Sequence, residues 1–293
     1  MRARALLGLS GALAVLAAPL QAAPRADLLG AFVWRHDDPD FGGLSSLELA
    51  ADGLGFLTAS DRGRLFTGQF ERDATGRVIG ARIERSFPLR DPEGAPLDDS
   101  DADSEGLAVL PDETIVVSFE EDHRLSFQPR PDAPARIRPA PALSLDWWEN
   151  QGMEALAAAP DGTLWALAEG AVGGVHAVLR LAEGAWQTPL ALPAEGGWHP
   201  VGADFGPDGR LYLLERDFWP FIGFMTRVLR FDLSDAGLSP ATVLFETRAG
   251  AFDNLEGLAA WRDSTGAIRL TLVSDDNFLP VQKTEIVDLR ITE

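Results

Sequence analysis

Past residue 24 the apolar positions come in short runs separated by turn residues, with no sustained helical spacing. One pattern recurs five times: a short apolar strand, an Asp-Gly or similar turn, then a second strand that ends in acids. Its copies begin at Ser45, Glu105, Glu154, Val201 and Glu256, which are 60, 49, 47 and 55 residues apart. Glycine supplies the positive φ that tight hairpin turns demand, so each Asp-Gly marks a strand reversal. Strand-length runs with frequent turns point to an all-β chain.

Each repeat has room for four strands. The first offers 44–50, 55–60, 64–71 and 78–87, and the third 153–159, 164–168, 176–181 and 186–191. Four antiparallel strands per unit of about 40 to 55 residues is the pattern of a β-propeller blade. The fifth repeat supplies three strands, 255–261, 268–274 and 285–291; segment 28–34 is left over to supply its fourth. Five blades, the last closed by the N-terminal strand, is therefore the expected architecture. A sixth blade within 129–145 is the alternative.

Composition narrows the chemistry. The 45 acidic residues exceed the 25 basic ones, for a formal charge of −20, which argues against a nucleic-acid partner. With no cysteine, disulfides, thiolate metal sites and a cysteine nucleophile are excluded, and four histidines are too few for a histidine-rich centre. Residues 1–22 read as a cleaved export signal: Arg2 and Arg4, an apolar run over 5–20, then Gln21-Ala22-Ala23. As a helix that run spans about 24 Å, short of the roughly 30 Å of a bilayer core. A periplasmic or secreted domain over 23–293, without a stable membrane anchor and monomeric, is the expectation.

The repeat also orders the acids. Glu105, Glu154 and Glu256 lead the first strands of their units, while Val201 breaks the series. Asp61, Glu120 with Glu121, Glu169, Glu215 with Asp217, and Asp275 with Asp276 end the second strands. In an antiparallel hairpin the start of one strand lies beside the end of the next, so both sets are expected on one rim of the propeller. Crowded carboxylates must protonate, accept an arginine or bind a cation; a hard ion, Ca²⁺ before Mg²⁺, suits such oxygen ligands. Glu105, Glu154, Glu256 and Asp204 are the expected ligands. Glu120 or Glu169 would be general base, Arg62 and Arg216 would face a substrate anion, and His199 is a further acid/base candidate. Asp61, Glu215, Asp275 and Trp219 are expected to contact substrate. The acidic stretch 98–105 lacks the spacing of an EF-hand and reads as a loop feeding Glu105 into the rim. Trp147-Trp148 and the aromatic stretch 218–224 should flank the same side, as a clamp or as satellite packing.

The phrases Asp103-Ser-Glu-Gly-Leu-Ala108, Asn150-Gln-Gly-Met-Glu-Ala-Leu-Ala157 and Asn254-Leu-Glu-Gly-Leu-Ala259, with Gly42-Gly-Leu-Ser-Ser46, Thr58-Ala-Ser-Asp-Arg-Gly63 and Ser274-Asp-Asp-Asn-Phe278, resemble the bacterial phytase-like family described as having esterase-like activity. The resemblance implies phosphodiesterase or esterase chemistry carried by recurring Glu and Asp. A more distant likeness, in the Glu-Gly-Leu starts, is to gluconolactonase and regucalcin propellers, which implies a divalent ion at the central channel. A metal-dependent hydrolase of small esters or phosphoesters is the first reading. A sugar lactonase, and a non-enzymatic binding propeller with a structural ion, are the alternatives. The Gly-x-Ser-x-Gly elbow of a serine hydrolase is absent, although Ser45, Ser46 and Ser60 fall near the rim.

Overall fold

The computed structural model describes residues 23–98, 101–120, 122–141, 152–234 and 237–293. Blade one comprises β2 (Glu48–Leu49), β3 (Gly55–Ser60), β4 (Arg64–Arg72) and β5 (Val78–Pro88), paired in that order. Blade two follows with β6 (Ser104–Val109), β7 (Ile115–Phe119), β8 (Arg124–Gln128) and β9 (Arg136–Pro139). In blade three β10 (Ala155–Ala158), β11 (Leu164–Val172) and β12 (Val175–Ala182) are edged by the short β13 (Ala185–Trp186) and β14 (Leu190–Pro193). Blade four pairs β15 (His199–Phe205), β16 (Leu211–Trp219), β17 (Gly223–Phe231) and β20 (Thr242–Glu246), with the hairpin β18 (Leu233–Ser234) and β19 (Gly237–Leu238) inserted. Blade five runs β21 (Asn254–Arg262), β22 (Ile268–Asp275), β23 (Glu285–Thr292) and, outermost, β1 (Arg25–Val33).

The five-bladed expectation holds, and the ring is closed by β1 pairing antiparallel with β23 from Arg25↔Thr292 to Val33↔Glu285. Part of the 129–145 stretch forms β9, the outer strand of blade two, so it supplies no sixth blade there. The expected signal peptide, Trp147-Trp148 and Glu121 lie outside the described residues.

Five apolar clusters hold the ring, one at each seam between neighbouring blades. Every sheet is thus buried on both faces. Leu211 and Leu213 pack toward blade three, while Tyr212 and Leu214 pack toward blade five. A strand with two buried faces needs apolar residues at successive positions. That is why β7 is almost wholly apolar; β22 is buried at every position too, but carries Arg269 and Thr271 inside.

The inner strands β2, β6, β10, β15 and β21 meet their neighbours around the axis. They come so close that a Cβ on Gly202 would lie 2.1 Å from the Glu256 carbonyl, and one on Gly106 would lie 2.6 Å from that of Glu154. The glycine of the Glu-Gly-Leu starts is therefore a packing requirement at the axis. Hydroxyls stitch the same seams. Ser45 donates to the Ser104 carbonyl at 2.8 Å, Ser104 to Ser60 at 2.6 Å, and Ser118 to Met153 at 2.6 Å. Ser60 donates to the Gly42 carbonyl at 2.9 Å, so Ser45 and Ser60 are structural donors.

Candidate functional site: an acidic mouth on the propeller axis

A β-bulge aims the leading residues. In β21 the register steps from Leu255↔Ser274 to Gly257↔Val273, which leaves Glu256 as the extra residue. The same step falls at Val201 in β15, and between Ser104 and Leu107 in β6, where Glu105 sits. A bulge re-aims a side chain without ending the strand. Here it sends Glu105 and Glu256 into one mouth of the axis, beside the ends of the second strands.

Glu105 and Glu154 are hydrogen-bonded to each other across the mouth. Burial, then the charges of Glu154 and Glu256, push Glu105 well above the usual carboxylate range. Burial and the charge of Glu169 raise Glu154 to about 8, against the pull of Arg216. Burial also raises Glu256, although Arg216 and Asn254 hold its carboxylate directly, Asn254 Nδ2 donating at 2.8 Å. Asp61 rises to about 7 through burial and the charges of Asp275, Asp103 and Asp276. Burial raises Asp275 to about 6, against a 2.6 Å hydrogen bond from the Asn277 amide. Glu105, Glu154, Glu256, Asp61 and Asp275 thus do crowd one mouth.

Among the described residues, two of the expected acids and one further carboxylate form a compact set. One carboxylate oxygen from each of Asp103, Glu105 and Glu120 lies within 4.8 Å of the others. An all-oxygen set of this charge has the chemistry that suits a hard divalent cation. Asp103 comes from the 98–105 stretch, which does deliver Glu105 to the mouth but also contributes a carboxylate of its own.

Several expected partners stand elsewhere. Asp204 is at the opposite end of β15, level with Tyr212, where it accepts the Ala260 amide at 2.7 Å. There it faces Glu48, which accepts the Val109 amide at 3.1 Å; burial raises both acids, Asp204 to about 7. Asp204 therefore does not join Glu105, Glu154 and Glu256. Glu215 is cross-strand from Arg227 and ion-paired to it inside the blade, with Glu195 on the other guanidinium nitrogen at 2.9 Å. Strand alternation turns it away from its neighbour Arg216.

Arg216 is not open to a substrate anion either. Its Nη1 reaches Glu256 and donates to Asn254 Oδ1 at 2.7 Å, while Nη2 donates to Glu169 at 3.2 Å. Burial alone would lower its pKa, but Glu256, Glu154 and Glu169 hold it above the ordinary arginine value. It is the internal counter-charge of the mouth. Arg62 is exposed and lies flat on the Phe278 ring, 3.4 Å from its centroid. His199 is cross-strand from Arg216, and its Nδ1 lies 3.1 Å from the Glu169 carbonyl. A carbonyl only accepts, so Nδ1 carries the hydrogen in this contact and Nε2 is the nitrogen left to exchange a proton. Trp219 is half-exposed on the β16–β17 hairpin, its indole N–H on Asp217 at 3.0 Å.

Asp103 and Asn254 were missed as site residues, although both stand within the quoted motifs, two residues before a leading Glu. That shared offset was the available signal.

The Phytase-like family model, described as esterase-like activity of phytase, matches residues 39–278. The chain belongs to that family. Its members are named for esterase-like chemistry, so this phytase-like chain is a hydrolase-like propeller. A search of curated proteins finds no match. Among solved structures, the α-L-arabinofuranosidase PaAbf62A of Podospora anserina is similar at 11% identity and TM-score 0.51, over 92% of this chain and 98% of that one. A protein of unknown function from Dyadobacter fermentans DSM 18053 is similar at 11% identity and TM-score 0.50, over 91% and 98%. The gluconolactonase XC5397 of Xanthomonas campestris overlaps at 14% identity and TM-score 0.45, over 85% and 86%. Likenesses at such identities speak to the fold alone.

Proposed function

We propose that this phytase-like propeller is an exported hydrolase of small esters or phosphoesters that works with a divalent ion, calcium before magnesium, at the acidic mouth. The convergence of Asp103, Glu105 and Glu120 within 4.8 Å is the observation that carries the reading. These three would hold the ion, with Glu154 hydrogen-bonded behind Glu105. When bound, such an ion supplies Lewis-acid polarisation of the ester oxygen and a more acidic water. The remaining work falls to the chain's own groups. His199 Nε2, oriented by the Glu169 carbonyl, accepts a proton from the attacking water. Arg216 holds the Glu169 and Glu256 carboxylates in place at the rim. Arg62, laid on Phe278, meets negative charge developing on the substrate.

The test combines calcium titration calorimetry with hydrolysis of p-nitrophenyl acetate and bis-p-nitrophenyl phosphate. Calcium binding should weaken by at least about tenfold in Glu120→Gln and Asp103→Asn, with parallel loss of turnover. Turnover that survives full chelation would sink the metal reading. Calcium binding without turnover of either ester would leave a binding propeller with a structural ion.

A further inference from the structure

The hairpin of blade four outruns its sheet. Beside the mouth β15 reaches only as far as Arg216 on β16, and β20 only Arg227 on β17, yet β16 and β17 stay paired to Trp219↔Gly223. The stretch from Asp217 to Met225 therefore stands above the blade as a two-stranded wall. Phe218 and Phe224 are cross-strand neighbours on it, ring centroids 4.9 Å apart. The wall is braced. The Gly250 amide donates to the Phe224 carbonyl at 2.8 Å, and a Cβ on Gly250 would meet the Ile222 carbonyl at 2.7 Å. Behind it, a Cβ on Gly197 would meet the Asp217 carboxylate at 2.6 Å.

Between this wall and the mouth runs a cleft with two unlike sides. Glu169, His199, Arg216, Asn254 and Asn277 make the polar side, with Asp217 at the foot of the wall; Phe218 and Phe224 make the aromatic side. Phe218 is 56% exposed in a chain of strong negative charge, so its ring is presented to solvent at a real hydrophobic cost. The aromatic side offers hydrocarbon and no spare donor, since the Trp219 N–H is spent on Asp217. The two rings themselves give a sugar no hydroxyl partner, whereas an alkyl or aryl group would be desolvated against them.

Resting on the hydrolase reading, we propose that the substrate is an ester with an apolar acyl or aryl group, which lies against Phe218 and Phe224 while its ester end faces His199 and Glu169. The cleft selects by chain length, and it is pre-formed, so little ordering is lost on binding.

Two measurements test this on the full chain with calcium present. The first is kcat/KM along p-nitrophenyl acetate, butyrate, hexanoate and octanoate. The second is calorimetric binding of the inert methyl ketones from butanone to decanone. Each added methylene that reaches the wall should strengthen both by up to about fourfold. That gradient should flatten in Phe218→Ala and return in Phe218→Leu, and an unchanged urea midpoint in both variants checks that the blades stay folded. Ketones that bind with the gradient while no ester is turned over would fell the hydrolase reading and leave the cleft. A flat series in the wild type, a gradient unchanged in Phe218→Ala, or glucono-lactone binding more tightly than decanone would overturn the inference while leaving ester hydrolysis intact.

Discussion

Removing Arg216 should destabilise the fold in a pH-dependent way. Its guanidinium contacts Glu256, donates to Asn254 at 2.7 Å and to Glu169 at 3.2 Å, with only 23% of the side chain exposed. Arg216→Met keeps most of the apolar stem but strands Glu256, whose side chain is 8% exposed. Breaking a buried ion pair by deleting one partner costs about 3–5 kcal/mol. The second, more solvated contact to Glu169 adds at most about 1 kcal/mol. Glu256 escapes part of this by taking up a proton. Burial already raises it, and Arg216 is the strongest pull in the other direction. Its folded pKa therefore rises further in the variant, and the penalty grows with pH by at most about 1.4 kcal/mol per unit. Urea unfolding in chelator at about pH 5 and about pH 8 reads both quantities, and Arg216→Met/Glu256→Gln should recover most of the loss at the higher pH. A cost under about 1 kcal/mol that is equal at both pH values would refute the view of Arg216 as the counter-charge of the mouth.

Two further outcomes follow from the same geometry. In chelator, Asp275, Asp61 and Glu154 titrate near 6, 7 and 8, all above their unfolded values, so they favour the fold at low pH and that contribution is lost as pH rises through 6 to 8. Melting temperature should fall across that window, and calcium should reverse the trend; a flat chelated profile would contradict it. At the axis, Gly202→Ala places a methyl group 2.1 Å from a backbone oxygen that cannot withdraw, and should cost about 3 kcal/mol or more. Gly162→Ala faces open space and pays only for its positive φ, about 1 kcal/mol in the same urea assay.

Much of this was legible because repetition is a one-dimensional signal. Five Asp-Gly-type turns at blade spacing set the strand count, the reversals and the end of each hairpin at which the acids fall. The surplus segment near 28–34 announced the closing strand, since a fourth strand was missing from the last repeat. Misassignments came where the side-chain direction mattered. Asp204 sits three residues beyond a leading position, which is one strand-length away from the mouth. Glu215 and Arg216 are chain neighbours, but strand alternation sends one into the Arg227 pair and the other toward Glu256. Asp103 was read as part of a feeding loop because spacing along a chain says nothing about where a loop returns.

What the amino-acid order determined by itself was everything local or periodic: strands, turns, blade number, and carboxylates recurring at fixed points of a repeat. Which carboxylates converge was decided only in three dimensions, by bulges that swing Glu105 and Glu256 to the axis and by glycines that let the inner strands close upon it. Ring closure decided the pairing as well, since Arg216 of blade four bridges Glu169 of blade three and Glu256 of blade five. Charges so far apart in the chain have no mutual signature along it; their energies depend on separations of a few ångströms, and only the packed ring sets those.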